Sequence, residues 1–161
     1  MNLVKNIKKI AQDVLLNESQ AIHNLTQYID DNFEACVQEI YSAKGRVVIT
    51  GIGKSAIIAN KIVATLNSTG TPALFMHAAD AIHGDLGMIQ QDDIVICISK
   101  SGNTPEIKVL VPLLKRRGSK LVALVSNVKS YLAEQAAFIL NATIGEGACP
   151  HNLAPTTRTT A

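Results

Sequence analysis

The stretch DIVICISKSGNTPEIKVLVPLLKRRG, residues 93–118, decides the fold. Residues 93–99 begin at an aspartate and then run apolar without alternation, the pattern of a strand covered on both faces in a parallel sheet. SKSGNT (99–104) breaks that run with three hydroxyls, a lysine and a glycine. A helical pattern follows, with Pro105 suited to its first position, Glu106 in its first turn and the cations of KRRG (115–118) complementing the dipole at its end. Small polar residues therefore stand where a buried strand stops and a helix starts.

The same strand–helix unit recurs on either side. RVVIT (46–50) is β-branched and preceded by Gly45, and KSAIIANKIVATLNSTG (54–70) reads as a helix capped by Gly70. TPALFM (71–76) is a second strand, followed by the turn and helix of HAADAIHGDLGM (77–88). KLVALVS (120–126), SYLAEQAA (130–137) and FILNAT (138–143) supply a strand, a short helix and a last strand. Ahead of them, Ile7, Ile10, Ala11, Val14 and Leu15, then Ile22, Leu25, Ile29 and Phe33, keep a helical period, with a bend or break expected at LNESQ (16–20). The pattern predicts an α/β, doubly wound three-layer sandwich with a five-stranded parallel sheet, preceded by N-terminal helices. Residues 1–43 are expected to pack on the domain or at an oligomer interface, and 44–161 to form the sheet domain.

Composition narrows the function classes. The 161 residues are 47% hydrophobic, without tryptophan, enough for one aliphatic core. A formal charge of +2, with cations scattered among acids, gives no nucleic-acid footprint. Cys36, Cys97 and Cys149 share no metal spacing, and Cys97 falls inside a strand as a small core residue. Lys5, Lys8 and Lys9 precede no continuous apolar run, so no signal peptide is read, and no run reaches the roughly 20 apolar residues of a membrane span. The expectation is a cytoplasmic protein with reduced thiols and no membrane partner.

Ligands of open α/β sheets bind beyond the carboxyl ends of the strands, which selects TGIGKSA, MHAADAIHGD, ISKSGNTPE, VSNVKS and the segment after Thr143. Ser99, Ser101 and Thr104 offer hydroxyls where free amides and the dipole of the following helix point the same way, as a phosphate dianion requires. Gly102 permits close approach of the backbone. A cap alone would need one hydroxyl, not three around a glycine. GIGKS (51–55) repeats the arrangement: Ser55 adds a hydroxyl, and Lys54 a cation at a helix start that the dipole disfavours. It is not a Walker A loop, which would need glycine where Val48 stands. It matches the looser dinucleotide pattern with Ala56 in third place, but Met76 and His77 end the next strand where an acid would hold a ribose. His77 and His83, six residues apart, share no helical face, so no metal site is expected and one histidine is read as a proton-transfer or hydrogen-bonding group.

In order along the chain, strand–GIGKS–helix, STGTPALFMHAADAIHGDLGMI, ISKSGNTPEI and ACPHNLAPTT resemble the D-arabinose 5-phosphate isomerases, members of the sugar isomerase (SIS) domain superfamily. The resemblance covers about residues 40–161, and HGDLGM with CPHNLAPTT is its most specific part. It implies interconversion of D-ribulose 5-phosphate and D-arabinose 5-phosphate through an enediol, supplying Kdo for lipopolysaccharide or capsule, without metal or organic cofactor. It implies phosphate binding by Ser55, Ser99, Ser101 and Thr104, and catalytic or substrate-binding roles for Lys54, His83 and Glu106; Glu146, one residue before the position where the family has a glutamate, is expected to stand in for it as a catalytic group. Gly53, Gly102, Asn103 and Thr156 are expected to contact substrate, and a homotetramer is implied. The chain departs from the family at Gly147, where a glutamate is common, at Arg158, where serine is usual, and in ending short of the family's C-terminal helix. Those departures favour an alternative, a non-catalytic sugar-phosphate-binding SIS module or inactive fragment.

Overall fold

A computed structural model describes residues 3–145. The chain divides into two compact units, residues 1–29 with 142–161, and residues 30–141. In the first unit, helix α1 (Leu3–Asn24) continues through residues 16–20 without the expected break, because nothing in LNESQ removes a main-chain donor. A 3₁₀ turn, Leu25–Tyr28, follows it.

The second unit carries the sheet. Its elements are α2 (Asp31–Ser42), β1 (Val47–Gly51), α3 (Lys54–Ser68), β2 (Ala73–His77), α4 (Ala78–His83), β3 (Ile94–Ile98), α5 (Pro105–Arg116), β4 (Lys120–Val125), α6 (Tyr131–Gln135) and β5 (Phe138–Asn141). All neighbouring strands are parallel, in the order β2-β1-β3-β4-β5. The chain thus steps one way from β1 to β2 and the other way from β3 onward. Right-handed crossovers must then place α3 on one face and α4, α5 and α6 on the other. The packing agrees. Val48, Val95, Cys97, Leu121 and Ala123 meet Ala78, Ala81, Ile107, Leu110 and Leu132 on one side. Val47, Ile49, Ile94, Ile96 and Val122 meet Cys36 of α2 and Ala59 and Val63 of α3 on the other. The five-stranded, three-layer arrangement expected from the sequence is present, and the second half of the helical lead-in, α2, covers part of the sheet.

Alternate residues of β1 and β3 feed opposite cores, so both strands are buried throughout, whereas the edge strands β2 and β5 are mostly half-buried. Burial pushes the Cys97 thiol up to about 12 and also raises that of Cys36, beside Glu39, so both are inert core side chains. Gly70, at φ +93°, closes α3 as expected, with the Thr71 amide donating back to the Leu66 carbonyl at 2.9 Å. On α5, Ile107, Leu110 and Leu114 are 0–1% exposed. Truncating one such side chain costs about 2–5 kcal/mol, against about 1 kcal/mol for a single hydrogen bond, so apolar docking fixes where the amino end of α5 lies.

The amino ends of β1 and β3 are joined by an ion pair. Asp93, 1% exposed, accepts from the Arg46 main-chain amide at 2.8 Å, Arg46 Nε at 3.2 Å, Arg46 Nη2 at 2.7 Å and the Gln90 amide at 2.9 Å. Burial alone would raise its pKa, but these donors and the guanidinium charge hold the carboxylate below its usual range. Gly45 sits so close that a Cβ there would lie 2.2 Å from the Asp92 carbonyl oxygen, which requires glycine at this corner.

Candidate functional site

The order in which the chain adds strands reverses between β1 and β3, and the carboxyl ends of these two strands are where an open parallel sheet places its ligand crevice. Gly51 pairs with Ile98, so the loops that follow, 52–53 and 99–104, start side by side. A Cβ on Gly51 would lie 3.1 Å from the Ser55 Cβ and 3.2 Å from the Ile98 carbonyl oxygen. Glycine at this position therefore lets the start of α3 close down on β3.

In the first loop Gly53 adopts φ +57° and its carbonyl accepts from the Ala56 amide at 3.1 Å, which turns the chain sharply into α3. Lys54 is then the first residue of α3, exposed, and its ammonium pairs with no carboxylate among the described residues. Ser55, half-buried, follows it.

In the second loop Ser99 is buried and its Oγ accepts from the Gly102 amide at 3.1 Å. Ser101 is exposed, and its Oγ accepts from the Asn103 amide at 3.3 Å. Each serine still has its own O–H to donate outward. Thr104 is the N-cap residue of α5, yet its hydroxyl makes no cap bond; Oγ1 is buried without a hydrogen-bond partner among the described residues. Pro105 occupies N1, so the amides left without a partner among the described residues at this helix start are those of Glu106 and Ile107. An anion seated here would meet hydroxyls, open amides and a positive helix end together.

Glu106 stands half-buried in the first turn of α5, directly beyond the loop. His83 ends α4, exposed, and its ring makes no hydrogen bond or ion pair with a described residue. His77 has closer neighbours: Nδ1 lies 3.8 Å from Asp80 Oδ2, and the ring meets Phe75 edge-on at 6.3 Å. Among the described residues no three His, Cys, Asp or Glu side chains cluster as a metal site.

The structure thus brings Gly53, Lys54, Ser55, Ser99, Ser101, Gly102, Asn103, Thr104 and Glu106 to one end of the sheet, across a single strand pair. His83 ends α4, the helix after β2 whose Ala78 and Ala81 share one core with Ile107 and Leu110 of α5. Glu146 and Thr156, with Gly147 and Arg158, lie outside the described residues. Two residues lie in the selected strand-end segments but are not singled out there. Thr50, wholly buried in β1 just before the first loop, has a hydroxyl without a partner among the described residues. Ser130, also wholly buried, lies against Gly102. VSNVKS stood at a strand end, but nothing in its spacing linked Ser130 to a glycine 28 positions earlier.

The model of the SIS domain family matches residues 39–161. The chain belongs to the SIS domain family. Within it, the chain is 46% identical over 162 residues to the arabinose 5-phosphate isomerase KdsD of Pseudomonas aeruginosa, covering 99% of this chain and 50% of that protein. It is 45% identical over 150 residues to the arabinose 5-phosphate isomerase KpsF of Escherichia coli O6:H1, covering 92% of this chain and 46% of that one. The solved structure of a protein from Escherichia coli CFT073, in complex with arabinose 5-phosphate, superposes with a TM-score of 0.88 at 38% identity, covering 99% of this chain and 85% of that one. The chain spans about half the length of the curated relatives it matches.

Proposed function

We propose that this chain is the sugar isomerase domain of an arabinose 5-phosphate isomerase, interconverting D-ribulose 5-phosphate and D-arabinose 5-phosphate. The observation that carries the reading is the open start of α5: a buried Thr104 hydroxyl and two amides without described partners, at the strand end that also holds Lys54 and Glu106. An unpartnered buried hydroxyl costs stability unless a ligand completes it. The names of the 45–46% identical relatives choose this substrate pair from the sugar phosphates such a site would accept.

Ser55, Ser99, Ser101 and Thr104 hold the phosphate, Gly53, Gly102 and Thr156 line the substrate, and Asn103 stands in the loop beside them. From the ketose, a base removes a proton from C1, and the electron pair moves to make the C1–C2 double bond while O2 takes the charge. Lys54 stabilises that oxyanion, and O2 is protonated to give the enediol. Loss of the O1 proton and protonation of C2 then yield the aldose. Glu106, His83 or Glu146 carries these protons. The steps balance without a metal or organic cofactor.

We also assign the product to Kdo synthesis for lipopolysaccharide or capsule, in the cytoplasm. Residues 1–43 form a helical segment ahead of the SIS domain at 44–161, with α2 packed on the sheet and α1 serving the interface of a homotetramer. The support for assembly is α1, where Ile7, Leu15 and Leu16 are 61–68% exposed, a costly arrangement for an isolated helix. No described helix is long and apolar enough to cross a membrane.

Incubating the chain with D-ribulose 5-phosphate in heavy water, followed by proton NMR, tests the activity. Formation of D-arabinose 5-phosphate with turnover supports the isomerase. Deuterium at C1 of the ketose without aldose product means proton abstraction without completed transfer. Binding with neither signal makes the chain a sugar-phosphate-binding module.

A further inference from the structure

The loop at residues 99–104 is held from the side of β4 and α6. The Ser99 amide donates to the Leu124 carbonyl at 3.1 Å, and the Ser126 amide donates to the Lys100 carbonyl at 3.2 Å. The Leu132 amide donates to the Gly102 carbonyl at 3.0 Å, and the Tyr131 amide donates to Asn103 Oδ1 at 3.0 Å. The Ala133 amide donates to Ser130 Oγ at 3.4 Å. Three successive amides at the start of α6, which a short helix leaves open, are therefore all taken. Two of the three go to the loop.

Gly102 makes that contact possible. Its φ is +63°, and a Cβ there would lie 2.0 Å from Ser130 Oγ and 2.6 Å from Ser130 Cβ. The loop lies flat on α6, and the dipole of α6 is satisfied internally while the amides of α5 stay open. Asn103 supplies the only side-chain acceptor among these four loop contacts. An aspartate would accept the same bond but add a negative charge beside a site for a dianion.

We propose that Asn103 is a positioning residue, whose side-chain oxygen fixes the phosphate loop to α6 before ligand arrives, and not a group that recognises the sugar. The proposal rests on the phosphate reading of the loop. It explains why an amide, with an acceptor and no charge, stands at this position.

The test compares the wild-type chain with Asn103→Ala and Asn103→Asp, using inorganic phosphate and D-arabinose 5-phosphate as probes in calorimetry. Amide hydrogen exchange at Tyr131 is read by NMR. Asn103→Ala should weaken phosphate binding about tenfold and speed Tyr131 exchange by about tenfold or more, as loss of one hydrogen bond predicts. Asn103→Asp should leave Tyr131 protected, and its weaker phosphate binding should recover in about 1 M salt, where the screening length is about 3 Å. The proposal is overturned if Asn103→Ala leaves Tyr131 exchange or phosphate affinity at the wild-type level, or if Asn103→Asp exposes Tyr131. Should the alanine variant not fold, the aspartate variant decides alone: a protected Tyr131 with salt-recoverable affinity supports the proposal, and a loss that salt does not recover refutes it. Failure of the wild type to bind either probe sinks the phosphate reading instead, with the Tyr131 exchange still reporting whether Asn103 holds the loop.

Discussion

The two ends of the β1–β3 strand pair treat polar groups in opposite ways. At the amino end, Asp93 is buried and accepts four hydrogen bonds, three of them from Arg46, and the carboxylate is held below its usual pKa. At the carboxyl end, Thr104 Oγ1 is buried with no partner, and Lys54 has no carboxylate, among the described residues. The amino end uses its charged groups to hold the fold; the carboxyl end leaves the Thr104 hydroxyl and the Lys54 ammonium unmatched among the described residues. Unmatched buried groups cost stability, and this contrast is what the proposed ligand site at the carboxyl end rests on. Mutations at the two ends should therefore separate cleanly, one set acting on stability and the other on activity.

The largest effect is expected at the carboxyl end. Lys54→Ala should lower kcat for isomerisation by about 10²–10³-fold, the usual loss when a donor to a developing oxyanion is removed. Its melting temperature should hold or rise slightly, since a cation at the start of α3 opposes the helix dipole. A large drop in melting temperature would erase the contrast between the two ends.

Asp93→Asn comes next and should act the other way. It leaves Arg46 without its counter-charge, and since that guanidinium is 31% exposed, a loss near the low end of the usual range, about 3 kcal/mol, is expected in urea unfolding. Steady-state constants, measured where the variant is fully folded, should stay near wild type. The pH dependence follows from the sign of the shift. Because the native pKa is lowered, the stabilisation is complete above the ordinary carboxylate range near pH 4 and is lost as pH falls through the depressed native value. The variant should lack that part of the acid transition. An unchanged acid limb would mean that other carboxylates govern it.

How much of this was legible in the sequence differs between the two ends as well. Strand and helix order, the parallel sheet and the position of the GIGKS and SKSGNT loops follow from apolar runs and from the small residues at their ends, because those patterns are local. GIGKS and SKSGNT could be placed on one crevice because strand-end position is a rule of topology. The Arg46–Asp93 pair was not legible: Asp93 reads as an ordinary charge before a strand, and only the register of β1 on β3 brings Arg46 to it. Ser130 and the role of α6 were hidden for the same reason, since the contact joins segments 28 residues apart through a glycine with no side chain. The unbroken α1 shows the limit of local reading too, for polar residues at 17–20 suggested a bend that their helix propensity does not impose.

The smallest effect gives the finest test. Thr104→Val keeps the shape of the side chain and deletes only the hydroxyl. At most buried threonines that change is costly, because a made hydrogen bond is lost. Here Oγ1 has no described partner and does not cap α5, so removing it should leave stability unchanged or raise it slightly. Phosphate and sugar-phosphate affinity should nevertheless fall by about tenfold, as the loss of one hydrogen bond to a charged ligand predicts. The pairing of those two outcomes matters more than either alone. A hydroxyl kept for the fold would lower the melting point, and one kept for nothing would change neither. Only a group held open for a ligand lowers affinity while leaving the fold as stable as before.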